Sequence, residues 1–243
     1  MTFFTTSRSA WRLLNRLSKE PVTGEFLDTL RAGLEELGLE RKAEILDACA
    51  VYHRELKRWS RAYNITGLKD DREMAIHLFL DSLLYLKAFP PEPARPRVLD
   101  VGSGGGFPGV VLKIARPELD LCLLEPSWKR AGFLRHICRV LRLSGATVIE
   151  STLEEHARAG GDTTYDVIVT RALFRTYDFI RKTAGILGRR GVLILGKGPL
   201  YREEMREVEK RLGSRPEGLD IEAVSFRLPQ AGIERYFIRV TRV

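Results

Sequence analysis

An α/β fold is predicted for this 243-residue chain, with a mostly parallel, twisted sheet covered by helices on both faces and a helical N-terminal extension in front of it. Three observations carry the expectation. From residue 97 onward, short apolar runs alternate with segments of helical spacing, the pattern of repeated βα units. The first run, Val98, Leu99 and Val101, stops on Gly102, Gly104, Gly105 and Gly106. Strand, glycine loop, helix is the opening of a nucleotide-binding unit, in which the ligand lies against backbone that carries no Cβ. Between residues 24 and 88, by contrast, the apolar residues follow helical spacing.

Residues 1–23 read as a basic mobile tail, because Arg8, Arg12, Arg16 and Lys19 all precede the first acid, Glu20. Residues 24–96 read as a helical subdomain. Phe26, Leu30, Leu34 and Leu37 mark one amphipathic helix, and Ile45, Leu46, Cys49, Tyr52, Leu56 and Trp59 a second. After a polar interruption at 60–67, Asp70 with Glu73 three residues on opens a third helix running past Leu83 and Leu86. Pro90, Pro91, Pro93 and Pro96 mark the boundary. Residues 97–243 form the sheet domain. Its first helix, carrying Val110, Val111, Ile114 and Ala115, ends before Pro117. A strand at 121–124, a helix at 127–143 and strands at 146–150 and 165–170 follow. A helix near 177–187, a strand at 192–195 and a helix at 201–212 come next, and strands at 222–228 and 236–243 close the chain as an antiparallel edge pair.

Composition excludes several classes. No apolar run approaches the roughly 18–20 residues of a membrane span. Cys49, Cys122 and Cys138 lack any paired spacing and sit in apolar patterns, so they read as buried, reduced thiols of a cytoplasmic protein. Four scattered histidines give no metal motif, and no metal is expected. The net charge of +8 is unevenly placed: residues 1–96 are nearly balanced, and the excess lies beyond 97. Between Glu125 and Glu150 there is no acid, only Lys129, Arg130, Arg135, Arg139 and Arg142, of which the last three follow helical spacing and would share a face. From Arg171 to Arg202, eight basic residues, Lys197 among them, meet one acid, Asp178. Such patches suit a polyanion held through its phosphates, and the alternative is a solvated basic face.

The glycine loop narrows the ligand. Phe107 stands where a dinucleotide fingerprint needs glycine, which disfavours a nicotinamide dehydrogenase, and no Gly-Lys-Ser/Thr is present for a phosphate loop. The second strand ends on Glu125, a spacing suited to a carboxylate gripping ribose hydroxyls. An adenosine site with nothing built for a pyrophosphate suits S-adenosylmethionine. Ligands to a sheet of this kind bind beyond the carboxyl ends of the strands, which gathers residues 102–107, Glu125, 150–154, Arg171 and Lys197 around one crevice.

Several segments, in order, resemble one family. Asn64-Ile-Thr66, His77-Leu-Phe-Leu-Asp-Ser82, Leu99 through Gly109 with its Phe107-Pro-Gly turn, Lys129-Arg130, Phe133-Leu-Arg135, Arg171-Ala172 and Lys197-Gly198 are similar to the RsmG, or glucose-inhibited division protein B, family. These are bacterial 16S rRNA guanine-N7 methyltransferases, and the resemblance covers roughly residues 40–200. It implies the class I S-adenosylmethionine-dependent methyltransferase fold. It also implies that Gly102 and Phe107 contact the methyl donor, Glu125 takes its ribose, Leu153 and Glu154 lie at its adenine, and Arg171 lies beside the reacting centre. Gly104, in the same loop, is assigned to the donor site too. The chain departs from the family at Ile76, where arginine is usual, at Gly105, where proline is usual, and at Glu125-Pro-Ser127, where Asp-Ser is common.

The residue inventory fits that chemistry. Guanine N7 bears an exposed lone pair, so its methylation needs no base to strip a proton first, and alignment is the main task. Asn64, His77 and Asp81 are the residues expected to hold the unstacked base, with Arg171 as a positioning group. For each there is a plainer alternative: Asn64 capping a turn, His77 satisfied in the core, Asp81 paired with an arginine. The function expected is methylation of small-subunit rRNA by a monomer, on a 30S particle. Its alternatives are a methyltransferase for a small molecule or protein, or an RNA-binding module that has lost catalysis.

Overall fold

The structure, a computed structural model, describes residues 22–159, 163–171, 173–213 and 217–243; the tail expected at 1–23 falls almost wholly outside them. Side-chain alternation along the strands explains the layering. One face of the sheet carries Val98, Leu121, Leu123, Val167, Val169, Val192, Ile194 and Phe237, in one core with the residues of the N-terminal helices. The other face carries Leu99, Val101, Leu124, Ile168, Leu193, Leu195, Ile238 and Val240, in a second core with Leu153, Phe179 and Val208. Successive strand residues point to opposite faces, so a strand covered on both sides reads as a continuous apolar run.

The helices ahead of the sheet are α1 (Gly24–Leu37) and α2 (Lys42–Tyr63). A rod of four consecutive pieces follows, Asp71–Met74, Ala75–Leu80, Asp81–Leu84 and Tyr85–Ala88, together α3. Asp70 caps α3 by accepting from the Glu73 N–H at 2.8 Å. The second piece of α3 is a π-turn, a widening that the apolar spacing did not signal. Asp71 binds the three helices together: its carboxylate accepts from Thr23 Oγ1 at 2.7 Å, meets His53 Nε2 at 2.8 Å and accepts from Lys57 Nζ at 2.7 Å.

Seven strands then run in the order β3-β2-β1-β4-β5-β7-β6. The elements are β1 (Arg97–Val101), α4 (Gly109–Ala115), β2 (Asp120–Leu124), α5 (Trp128–Val140), β3 (Ala146–Ile149), α6 (Leu153–Ala159) and β4 (Tyr165–Arg171). They continue with α7 (Thr176–Thr183), β5 (Leu187–Lys197), α8 (Tyr201–Leu212), β6 (Leu219–Arg227) and β7 (Glu234–Arg242). β1 to β5 are parallel, and β7 lies antiparallel between β5 and β6. The closing pair is antiparallel as expected, but its second strand is interior and only β6 is an edge. The chain folds back after β6, and the apolar Phe237, Ile238 and Val240 take the covered position.

Three sequence readings are corrected here. α6 went unpredicted, although Thr152 and Glu155 form a reciprocal capping box, Glu155 N to Thr152 Oγ1 at 3.2 Å and Thr152 N to Glu155 Oε2 at 3.0 Å. β5 begins at Leu187, inside the stretch assigned to the preceding helix, which ends at Thr183. α5 stops at Val140, and Arg142 follows in the left-handed region with φ +49°. It therefore does not share a helical face with Arg135 and Arg139.

Candidate functional site

The carboxyl ends of β1, β2 and β4 meet at the glycine loop. Gly102 N and Ser103 N both donate to the Leu124 carbonyl, at 2.8 and 3.1 Å, which lashes the loop to the end of β2. Glu125, buried there, accepts from Gly104 N at 2.8 Å through Oε2 and from Ser127 N at 3.0 Å through Oε1. One carboxylate thus joins the loop to the start of α5. Gly104 has φ +58° and only one heavy atom within 4 Å of where a Cβ would stand, a backbone oxygen at 3.8 Å. Its open side is a cradle that a larger residue would fill. Gly106, φ +92°, has no such room, because Tyr52, Val110 and Leu134 press on it.

Beneath the loop lies Asp100, fully buried. Its Oδ2 accepts from Gly109 N at 3.0 Å, at the first turn of α4, while Oδ1 has no hydrogen-bond partner among the described residues. Burial pushes its carboxyl up to about 7, against the pull of the Gly109 N–H and Ser103.

Phe107 lies in the core, its ring stacked at 5.1 Å and 5° on Tyr52 and edge-on to Phe79 at 5.2 Å. Tyr52 donates to the Gly105 carbonyl. Arg171, ending β4, crosses the Phe107 ring at 5.5 Å and donates from Nη1 to the His77 carbonyl at 3.1 Å. It therefore ties β4 to the π-turn of α3, a kind of widening that is frequent at functional sites. Asn64 caps α2 in the left-handed region, φ +49°, with its N–H on the Ser60 carbonyl at 3.0 Å and its side chain exposed. The next residue, Ile65, packs against Gly105. His77 is exposed. Arg171, His77, Phe107 and the Asn64–Ile65 turn thus surround the glycine loop.

Asp81 and Lys197 lie elsewhere. Asp81 is buried in a two-pronged ion pair with Arg235 of β7, at 2.6 and 3.1 Å, so both its oxygens are committed to the fold. Lys197, expected on the RNA face, is 6% exposed; Nζ donates to the Phe174 carbonyl at 2.6 Å and meets Glu204 at 2.7 Å. A buried lysine paired in this way makes no surface contact. Leu153 is buried at the start of α6, and exposed Glu154 pairs with Lys182. Arg135 pairs with Glu150 at 3.0 Å and Arg139 leans on His136, whereas Lys129 and Arg130 are exposed and meet no carboxylate among the described residues. Sequence reasoning passed over Leu173, half-exposed and lying over Gly102, and over Trp128 beside the Lys129-Arg130 pair. The signal for Trp128 was present: an aromatic next to two cations, three residues after Glu125.

Comparison with known proteins now decides the family. The family described as rRNA small subunit methyltransferase G matches residues 45–223. The chain belongs to the rRNA small subunit methyltransferase G family. Ribosomal RNA small subunit methyltransferase G of Acinetobacter baylyi is 31% identical over 196 residues, covering 81% of this chain and 91% of the relative. That of Geobacter sp. strain M21 is 31% identical over 219 residues, covering 88% and 97%. Among solved structures, a methyltransferase from Geobacter sulfurreducens aligns with a TM-score of 0.54 at 17% identity, covering 79% and 90% of the two chains. An O-methyltransferase from Bacillus cereus in complex with SAH gives 0.54 at 13%, with the same coverage. These likenesses show the fold, that of class I methyltransferases. A member of the methyltransferase G family uses S-adenosylmethionine. The residues fit that donor: the open side of Gly104 leaves it space, Glu125 stands at the end of β2, and the unpartnered Asp100 Oδ1 suits a cationic ligand.

Proposed function

We propose that this chain methylates N7 of a guanine in 16S rRNA, acting as a monomer on the 30S particle in the cytoplasm. The observation that carries the reading is the placement of Arg171, which joins the glycine loop and α3 at the carboxyl end of β4, with no nucleophile–base pair beside it among the described residues. A reaction at N7 needs no proton removed beforehand, because the lone pair is already free. Positioning is then what the protein has to supply.

Gly102, Gly104, Glu125, Leu153 and Glu154 are the residues we assign to the donor. When bound, S-adenosylmethionine supplies an electrophilic methyl carbon on a sulfonium. Glu125 orients, because its oxygens, held by Gly104 N and Ser127 N, keep lone pairs for ribose hydroxyls. Arg171 spends one donor on the His77 carbonyl and keeps others for a carboxylate or a phosphate of the target nucleotide. Phe107 fixes the height of that guanidinium from below.

Single-turnover transfer to 30S particles, measured beside a melting curve, tests the assignment. Lysine keeps the charge of Arg171 and loses its planar fork, so Arg171→Lys is expected to melt as the wild type and to transfer methyl about 100-fold more slowly. Near-normal transfer by that variant would remove Arg171 from the site.

A further inference from the structure

Helices α2 and α5 touch through a cluster of side chains in which Phe133 and His136 of α5 meet Tyr52, Glu55 and Trp59 of α2. Glu55 meets His136 Nε2 at 2.6 Å. One turn further along α2, Trp59 lies against both His136, at 5.2 Å, and Phe133, at 5.6 Å. Tyr63, the last residue of α2, lies ring to ring 5.5 Å from Trp59, and the first turn of α5 carries Trp128, Lys129 and Arg130.

Two large aromatics at these helix ends are exposed. Tyr63 is 45% exposed and Trp128 64%. Both adjoin the glycine loop: Ile65, two residues after Tyr63, packs on Gly105, and Ser127, just before Trp128, donates its N–H to Glu125. Lys129 Nζ sits 5.6 Å from the Trp128 ring. Neither Lys129 nor Arg130 is paired with a carboxylate among the described residues, whereas Arg135 one turn on is paired with Glu150. Exposed rings beside uncommitted cations, at the rim of a catalytic loop, are a surface for bases and phosphates together.

We infer that Tyr63 and Trp128 form a stacking platform for unpaired bases of single-stranded RNA flanking the target guanine, with Lys129 and Arg130 on the adjoining phosphates. The inference rests on the proposed rRNA substrate and assigns two residues to holding it. The platform favours single strands, because bases within a duplex offer no free face. It also explains why the acid-free stretch begins at the very start of α5: a carboxylate there would repel the strand being held.

The test is titration of the full-length protein with a short, end-labelled single-stranded guanine-containing RNA, its affinity read by the anisotropy of the label and stacking in the wild type by tryptophan fluorescence, alongside methyl transfer to 30S particles and calorimetry with S-adenosylmethionine. Stacking quenches the wild-type signal. Trp128→Ala and Tyr63→Ala are each expected to weaken RNA binding by roughly 5- to 100-fold, while Trp128→Phe and Tyr63→Phe keep most of it, and donor affinity and melting stay at wild-type values. Alanine variants that bind RNA as tightly as the wild type overturn the platform. So do phenylalanine variants that lose as much as alanine, or a loss confined to donor affinity. A wild-type protein that is quenched by single-stranded RNA yet methylates no rRNA sinks the proposed reaction and leaves the platform standing.

Discussion

At the residue scale, burial moves the titration of Asp100 into the neutral pH range. Its carboxyl is pushed up to about 7, first by burial, with the Gly109 N–H opposing. The folded protein therefore keeps a proton that the unfolded chain, titrating near about 4, gives up. Between those values the folded state binds more protons, so this group's contribution to stability falls as pH rises from about 4 toward 7, then levels off. A cationic ligand beside the unpartnered Oδ1 favours the ionised form, so donor affinity is expected to climb as pH rises through about 7. Calorimetry from acid to mildly alkaline pH, on the wild type and on Asp100→Asn, is the check. The variant is expected to lose that pH dependence, and a wild-type affinity that does not change with pH would separate Asp100 from the donor. The Gly102–Gly106 run and the acid ending β2 were legible in sequence because their roles depend on local spacing. The fates of Asp81 and Lys197 were not, since Arg235 lies 154 positions from Asp81 and tertiary packing alone brings them together.

At the scale of elements, Lys197 closes β5 by holding α8 and the segment before α7. Glu204 of α8, which it neutralises, also accepts from Thr176 N at 2.8 Å and Thr176 Oγ1 at 2.6 Å. Removing the lysine leaves that carboxylate without its counter-charge. Lys197→Ala is expected to cost about 3 kcal/mol of stability with no change in the salt dependence of RNA binding, as denaturant melts and salt titrations would report. A flatter salt slope with unchanged melting would return Lys197 to the RNA face. The strands buried on both faces were readable as apolar runs, and α1, α2 and α8 as helical periodicities. α6 was missed because its seven residues bury little but Leu153, so the apolar signal is weak and the Thr152–Glu155 box carries the information. The π-turn of α3 had no sequence signature, since the same apolar spacing suits an ordinary helix.

At the scale of the molecule, two cores on either side of one sheet fix where the strand ends converge, and the N-terminal helices share the core of the loop-bearing face. That shared core brings the Asn64–Ile65 turn and the His77 carbonyl to the glycine loop, so the helical region completes the site. Sequence gathered the glycine loop, Glu125 and Arg171 at the carboxyl ends of the strands, because that expectation follows from the topology. Charge counts did not show which cations are already paired: Lys197 meets Glu204 and Arg135 meets Glu150. Methylation of a guanine N7 in 16S rRNA is open to direct measurement. Isotope-labelled S-adenosylmethionine, purified protein and unmodified 30S particles are combined, and the rRNA is mapped by mass and by the backbone cleavage that borohydride and aniline produce at N7-methylguanine. A single added methyl group at one guanine is expected, with cleavage at that position. Labelled rRNA that resists cleavage, or label found only in ribosomal protein, would contradict it.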